Sequence, residues 1–346
     1  MSVTQGPSMA GALVICTGGG IGDVLLATPV MRALGQRFGR VVALTAPAHR
    51  EVLACDPDLT EVWSDDVPFA QQAARIAQAR FDVAVVTWAT LGAAALPYVA
   101  RVPLRVGQAR RLYSMLFTQR VVVRSERGDR TTHWTQILLD FARAVDCDVA
   151  DATPRFVVPE AARASLGRTL GEAGVDEPYL VLHPTRGIAA ARERWPVQRL
   201  GELARALGAA YGMPVVVSGA QSDRDVSDRI ATAGGAVSLA GRTTLAEFGA
   251  LAQHAHAVVA MDSGPMHVAA AVGAPTLGIF ALQSDEPDRW APLGPRTGVL
   301  RATYPCPPAH RKETCPDFAC VAALEIPRVL AALGGVLAAK AEMFDR

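Results

Sequence analysis

With 346 residues, 50% of them hydrophobic and 19% charged, the chain is larger than one hydrophobic core sustains, and two domains are expected. Its 34 basic residues nearly cancel 33 acidic ones, which excludes a nucleic-acid binder held by bulk charge, and the apolar content excludes disorder. Only Lys312 and Lys340 are lysines, so nearly every cationic contact must come from a planar, permanently charged guanidinium. No apolar run of about 18 residues is present and the first ten residues carry no basic segment, so a cytoplasmic location is expected. Six cysteines in 346 residues are too sparse for a disulfide framework, and Cys16, Cys55 and Cys147 read as small hydrophobes.

Along the chain, short β-branched runs alternate with longer Ala/Leu/Arg-rich helical patterns. A strand over 12–17 precedes a helix over 24–38, and further strands are expected at 41–45, 82–87 and 121–123. A second series places strands at 179–183, 214–218, 236–239, 257–261 and 275–280, with helices at 196–211 and 245–254 between them. Such alternation marks parallel βαβ units, so the expected fold is α/β, two Rossmann-like doubly wound domains facing a central cleft. The Pro-containing stretch 151–173 reads as the connection, giving domains of residues 1–165 and 166–325. After Phe280 the chain turns proline-rich and irregular, and a last helix, within 326–346, is expected to pack back toward the N-terminal domain.

Thr17-Gly18-Gly19-Gly20-Ile21-Gly22-Asp23 lies between the first strand and the first helix, where a dinucleotide fingerprint would stand. Asp23 occupies the place of the third glycine and no acid closes the second strand, which argues against an NAD site. Gly20 and Gly22 allow close backbone approach, and Asp23 reads two ways. It is a helix-start acid favoured by the macrodipole, or a general base that takes the proton of an attacking hydroxyl.

The buried run 256–261 leads into Asp262-Ser263-Gly264-Pro265-Met266-His267. Ser263 or Gly264 can cap the helix, and Pro265 suits a first helical position. The open N–H groups of such an end suit a diphosphate, with Asp262 available to a sugar hydroxyl and His267 to a phosphate oxygen. Polar residues also follow two neighbouring strands, at His183–Arg186 and Ser218–Asp223.

Together these residues resemble the glycosyltransferase family of the ADP-heptose:lipopolysaccharide heptosyltransferases (glycosyltransferase family 9). The resemblance rests on Gly22–Pro29, His183-Pro184 with Arg194-Trp195-Pro196, Gly241-Arg242-Thr243, and Asp262–His267 with Pro275, in that order. It implies a metal-independent GT-B enzyme without a cofactor, with acceptor on the N-terminal domain and ADP-sugar donor on the C-terminal one. It also implies that Asp23 is the base, Thr185 a diphosphate contact, and Asp223 a ribose-binding acid. Gly241 and Thr243 fall on the adenine side, and Asp262, Ser263, Gly264 and His267 at the donor sugar and phosphates. The family's lysine before Trp-Pro is Glu193 here, which leaves Arg194 as the cation for the donor phosphate.

Eight arginines lie between Arg101 and Arg130 against two acids. Guanidinium forks match phosphate and carboxylate oxygens, so Arg105, Arg110 and Arg111 are candidates for an acidic glycan or glycolipid acceptor, or for contact with the inner face of a membrane. The other reading is a solvated basic face. Cys306, His310, Cys315 and Cys320 have the ligand types of a zinc site at a spacing that fits no common motif, and reduced thiols or a disulfide are the other readings. The function expected is inverting transfer of a heptose from ADP-heptose to a sugar hydroxyl of the lipopolysaccharide inner core. A different nucleotide sugar, a natural-product or protein acceptor, and a non-catalytic nucleotide-sugar binder are the alternatives.

Overall fold

The computed structural model describes residues 11–185, 195–282, 286–305, 315 and 318–339. The chain divides after Arg155 into two compact units, each built on one six-stranded parallel sheet. In the first unit the strands are β1 (Ala12–Cys16), β2 (Val41–Thr45), β3 (Glu61–Ser64), β4 (Val83–Val86), β5 (Leu104–Gln108) and β6 (Gln119–Val121). In the second they are β7 (Leu180–His183), β8 (Val215–Val217), β9 (Val237–Ser238), β10 (Ala257–Met261), β11 (Thr276–Phe280) and β12 (Thr297–Arg301).

The orders are β3-β2-β1-β4-β5-β6 and β12-β11-β10-β7-β8-β9. Each sheet starts in its middle and builds outward in both directions, so the direction of winding reverses between β1 and β4 and between β7 and β10. Loops leave those two points in opposite senses and open a crevice at the carboxyl ends of the strands. The two α/β units with parallel sheets are those expected for a GT-B chain.

The strands that carry these crevices are buried on both faces, which is why they read as unbroken apolar runs. β1, β2, β10 and β11 are buried along their whole length. One core face of the first unit joins Leu13, Ile15, Val42 and Leu44 to Trp63, Phe81 and Phe117. The second unit gathers Leu182, Trp195, Leu203, Val217 and Ile279. At about 25 cal/mol per Å² of apolar surface, each such side chain contributes about 1.5–3 kcal/mol when buried, and these layers fix the positions of the strand ends.

Four local expectations change. The helix expected over 24–38 is two, Ile21–Leu25 and Thr28–Phe38, because Pro29 in the first turn of the second lacks an N–H and Thr28 Oγ1 donates to Leu25 O at 2.9 Å. The last strand of the first sheet lies at Gln119–Val121, two residues earlier than expected. The proline-rich stretch after Phe280 contains β12, paired in register with β11.

The last helix is the fourth. Its described turns, Ile326–Ala338, bury Val329, Leu333 and Val336 against β11, β12 and the helix Val197–Tyr211, so that face belongs to the second unit and not, as expected, to the N-terminal one. Gly298 on β12 makes the fit, since a Cβ there would stand 2.5 Å from Val336 Cγ2.

The division after Arg155 also has a local cause. Arg155 N–H donates to Thr28 Oγ1 at 2.9 Å and its guanidinium meets Asp58 at 2.8 Å, both in the first unit. The next residue, Phe156, packs where Gly249 of the second unit has no side chain. The helix Glu160–Ala173, within the stretch read as a connection, lies against the helix Leu245–His254 of the second unit.

Candidate active site

In the first unit the crevice between β1 and β4 is built from Gly18, Gly19, Gly20, Asp23 and Trp88. A Cβ on Gly18 would fall 1.9 Å from Trp88 Cδ1, so the missing side chain is what lets the indole lie across the loop. Gly19 has φ +77°, and a Cβ there would lie 2.6 Å from Asp23 Oδ2. The chain therefore turns sharply enough for Asp23 Oδ2 to accept the Gly20 N–H at 2.8 Å.

That contact is the helix-start role of Asp23, and by itself it would hold the carboxyl low. Burial outweighs it and pushes the pKa up, with the Gly20 and Asp23 amides and the charge of His49 pulling the other way. A carboxylate kept short of solvent and raised in pKa is a better proton acceptor than a surface cap, and it stands in a strand-end crevice.

His49 was not singled out from the sequence. It ends the turn Pro47–His49 that leaves β2, and Cys16 pairs with Thr45 in register, so the loops bearing Asp23 and His49 emerge side by side. Its Nδ1 is buried with no hydrogen-bond partner among the described residues, and burial lowers its pKa while Asp23 raises it. Trp88 was missed as well, although its place directly after the apolar run of β4 is a sequence signal. Cys16, at the end of β1, is inert: burial pushes its thiol up to about 12.

The arginines separate by what they touch. Arg105 lies within β5 and spends its donors on the carbonyls of Leu116 (2.8 Å), Val102 (2.6 Å) and Pro103 (3.3 Å), with its guanidinium 5.5 Å from the Tyr98 ring. It is a brace of the sheet's end. Arg124 is held bidentately by Asp140 at 2.6 and 2.7 Å, which raises its pKa further. Arg110 and Arg111, beyond the end of β5, are exposed; Arg111 pairs with Glu126 at 3.0 Å and Arg110 donates to Glu126 O at 3.1 Å.

In the second unit the crevice between β7 and β10 brings together Thr185, Asp223, Asp262, Ser263, Gly264 and His267. Ser263, placed to cap the helix Gly264–Ala271, makes no cap: its hydroxyl donates to Met261 O at 2.8 Å. The expected side-chain cap is absent, so the first N–H groups of an eight-residue helix stay directed outward, with Pro265 in its first turn. His267 is buried in the same helix.

Asp223 shows a parallel economy. It precedes the helix Arg224–Gly234, yet its carboxylate makes no cap. Oδ2 instead accepts the Thr185 hydroxyl at 2.9 Å, both residues being buried, and Oδ1 has no partner among the described residues. Behind them His183 Nδ1 lies 3.1 Å from Ser218 Oγ, and burial drives the His183 pKa down to about 4, so the ring is neutral. Gly241, at φ +71°, receives Gln221 where a Cβ would stand 2.1 Å from Oε1, and its N–H donates to Gly219 O at 3.0 Å. Thr243 follows on the same turn, half-buried.

Arg194, Cys306 and His310 lie outside the described residues. Of their expected companions, Cys315 Sγ accepts the Phe318 N–H at 3.3 Å and Cys320 is buried in the second unit's core. Among the described residues no cluster of three or more His, Cys, Asp or Glu is arranged for a metal, and no helix is long and apolar enough to cross a membrane.

The sequence model of glycosyltransferase family 9 (heptosyltransferase) matches residues 70–317. The chain belongs to that family. It is a glycosyltransferase, 25% identical over 303 residues to lipopolysaccharide heptosyltransferase 2 of Salmonella typhimurium, an alignment that covers 81% of this chain and 85% of that one. Its fold is similar to that of a family 9 glycosyl transferase from Veillonella parvula, with TM-score 0.79 at 17% identity over 95% of this chain and 98% of the other. It is also similar to ADP-heptose LPS heptosyltransferase II of E. coli, with TM-score 0.77 at 22% identity over 94% and 98%. In this family 9 chain, then, Asp23 and Asp262–His267 each stand at a crevice that follows the strands of their own sheet.

Proposed function

We propose that the protein is an inverting heptosyltransferase that moves a heptose from ADP-heptose to a hydroxyl of the lipopolysaccharide inner core. The observation that carries the reading is Asp23, a half-buried carboxylate raised in pKa in the first turn of the helix after β1, where a pure nucleotide-sugar binder has no use for a base. Family membership and the lipopolysaccharide heptosyltransferases it resembles support the donor and the acceptor class.

In this mechanism Asp23 takes the proton of the acceptor hydroxyl as that oxygen bonds to the anomeric carbon. The carbon–oxygen bond to the diphosphate breaks on the opposite face, and its electron pair leaves with ADP. The open N–H groups at Gly264, with His267, meet the charge that develops on the diphosphate, so no metal ion is required. Thr185 stands at the diphosphate, and the free Asp223 oxygen accepts from a ribose hydroxyl beside the Gly241–Thr243 turn. Arg110 and Arg111 meet acceptor anions, Asp262 the donor sugar, and Gly20 and Gly22 give the acceptor room. The chain works at the cytoplasmic side of the inner membrane.

Calorimetric titration with ADP-, UDP- and GDP-sugars tests the donor, and transfer assayed with and without EDTA tests the metal. The reading requires ADP-heptose to bind at least about tenfold more tightly than the others and transfer to survive the chelator. Preference for UDP- or GDP-sugars, or activity restored only by Mg²⁺ or Mn²⁺, contradicts it.

A further inference from the structure

Between Asp82 and Glu126 the sequence holds six arginines and no carboxylate. Among the described residues, the five most exposed large hydrophobic side chains all lie in that stretch, led by Leu112 at 94% and Met115 at 72%. The others are Leu91, Val99 and Tyr98. A single exposed leucine is ordinary; five on two adjoining elements mark an interaction surface.

The elements are the helix Leu91–Val99 and the 3-10 turn Leu112–Leu116, which lie against each other. On the helix, Leu91 and Tyr98 are seven residues apart and share a face, while Ala93, Ala94 and Leu96 are buried in the core. In a 3-10 turn, side chains three apart eclipse, so Leu112 and Met115 project together.

The turn is fixed from within. Tyr113 OH donates to Ala89 O, and Ser114 Oγ donates to Gln108 O at 2.7 Å while accepting the Arg111 N–H at 3.0 Å. Phe117 is buried against Gly107, which leaves it room by having no Cβ. Leu112 and Met115 are thus held out in water by a braced turn, an arrangement that adds nothing to the core.

Charge complementarity selects the occupant. Arg101 and Arg120, before and after the turn in sequence, are both exposed, and the stretch between Asp82 and Glu126 holds no acid to offset them. Apolar tips among guanidinium groups suit the headgroup boundary of an anionic bilayer, where the tips enter the acyl region and the cations meet lipid phosphates. A second copy of this chain would bring the same arginines and set like charge against like. We propose that Leu91, Tyr98, Leu112 and Met115, with the exposed Arg101 and Arg120 of the same stretch, dock the protein on an anionic phospholipid bilayer.

Co-sedimentation with vesicles of phosphatidylglycerol and phosphatidylethanolamine, beside vesicles of phosphatidylcholine alone, tests this. The protein is expected to sediment with the anionic vesicles, less so as salt rises. Leu112→Ser/Met115→Ser should lower its partition coefficient by about tenfold or more, since withdrawing one apolar side chain from water is worth about that factor. Arg101→Gln/Arg120→Gln should weaken binding to anionic vesicles and leave any residual binding to neutral ones alone. Thermal unfolding of the serine variant, unchanged because both side chains contact solvent, separates lost docking from lost folding. Wild-type protein that stays in the supernatant, that sediments equally with phosphatidylcholine, or that is matched by the serine variant overturns the proposal. So does a concentration-dependent dimer that the serine substitutions abolish, which would give the face to a second copy. The donor titration reads a different unit, so its failure and this one are distinguishable.

Discussion

Replacing Thr185 by Val keeps the shape of the side chain and removes one hydroxyl. In the protein that hydroxyl donates to Asp223 Oδ2 at 2.9 Å, both residues are buried, and Asp223 Oδ1 has no partner among the described residues. The substitution therefore leaves a buried carboxyl with no side-chain donor on either oxygen. A hydrogen bond to a charged group contributes about 1.5–3 kcal/mol, and the stranded group retains its desolvation cost. For a unit of this size each kcal/mol moves the melting temperature by about 2–4 °C, so a fall of roughly 3–12 °C is expected. Thermal unfolding of the wild type, Thr185→Val and Thr185→Ser measures it, with the serine variant close to wild type because the donor returns. If ADP ribose meets the free oxygen, saturating ADP should recover part of the loss in the valine variant. A Thr185→Val protein that melts with the wild type would show that Asp223 does not depend on this hydroxyl.

The acid limb of the kcat/KM profile should lie above the ordinary carboxylate value of 3.8, because burial raises the Asp23 pKa and only the deprotonated base is active. Protonated His49 favours the Asp23 carboxylate, so His49→Gln should move that limb to higher pH; an unmoved limb, or one moved to lower pH, would separate the two residues. Arg105→Gln should lower thermal stability with little change in acceptor KM beyond that of partial unfolding, whereas Arg110→Gln/Arg111→Gln should raise acceptor KM and leave the melting temperature within about 2 °C. The reverse pattern would return Arg105 to the acceptor site.

What the sequence makes legible follows burial. β1, β2, β10 and β11 are covered on both faces, and their apolar runs announce them. β3 and β12 are edge strands with one neighbour each, half open to solvent, and their Glu61, Ser64, Thr297 and Arg301 hide them among loops. β5 is interior but carries Arg105 and Gly107, and the reasons for both are tertiary: three carbonyls for the guanidinium and a ring of Phe117 for the glycine.

The candidate site divides in the same way. Asp262–His267 could be picked out because it directly follows a legible strand, and Asp23 because it closes the glycine loop after another. His49 sits in a Pro-Ala-His turn that looks like any surface loop until the register of β1 and β2 brings it beside Asp23. The uncapped state of the helix at Gly264 is equally invisible, because Ser263 is the residue that normally caps and here turns its hydroxyl to Met261.

Asp23→Asn tests the role of Asp23 as base with least disturbance. Asparagine keeps an oxygen to accept the Gly20 N–H, so the glycine loop should hold while the basic carboxylate is lost. Steady-state transfer and donor calorimetry on the same preparation should show kcat lower by about 10²–10⁴ with the ADP-heptose Kd unchanged within a few-fold. Turnover within about threefold of wild type, at the same donor affinity, would remove Asp23 from the chemistry and leave it a helix-start acid.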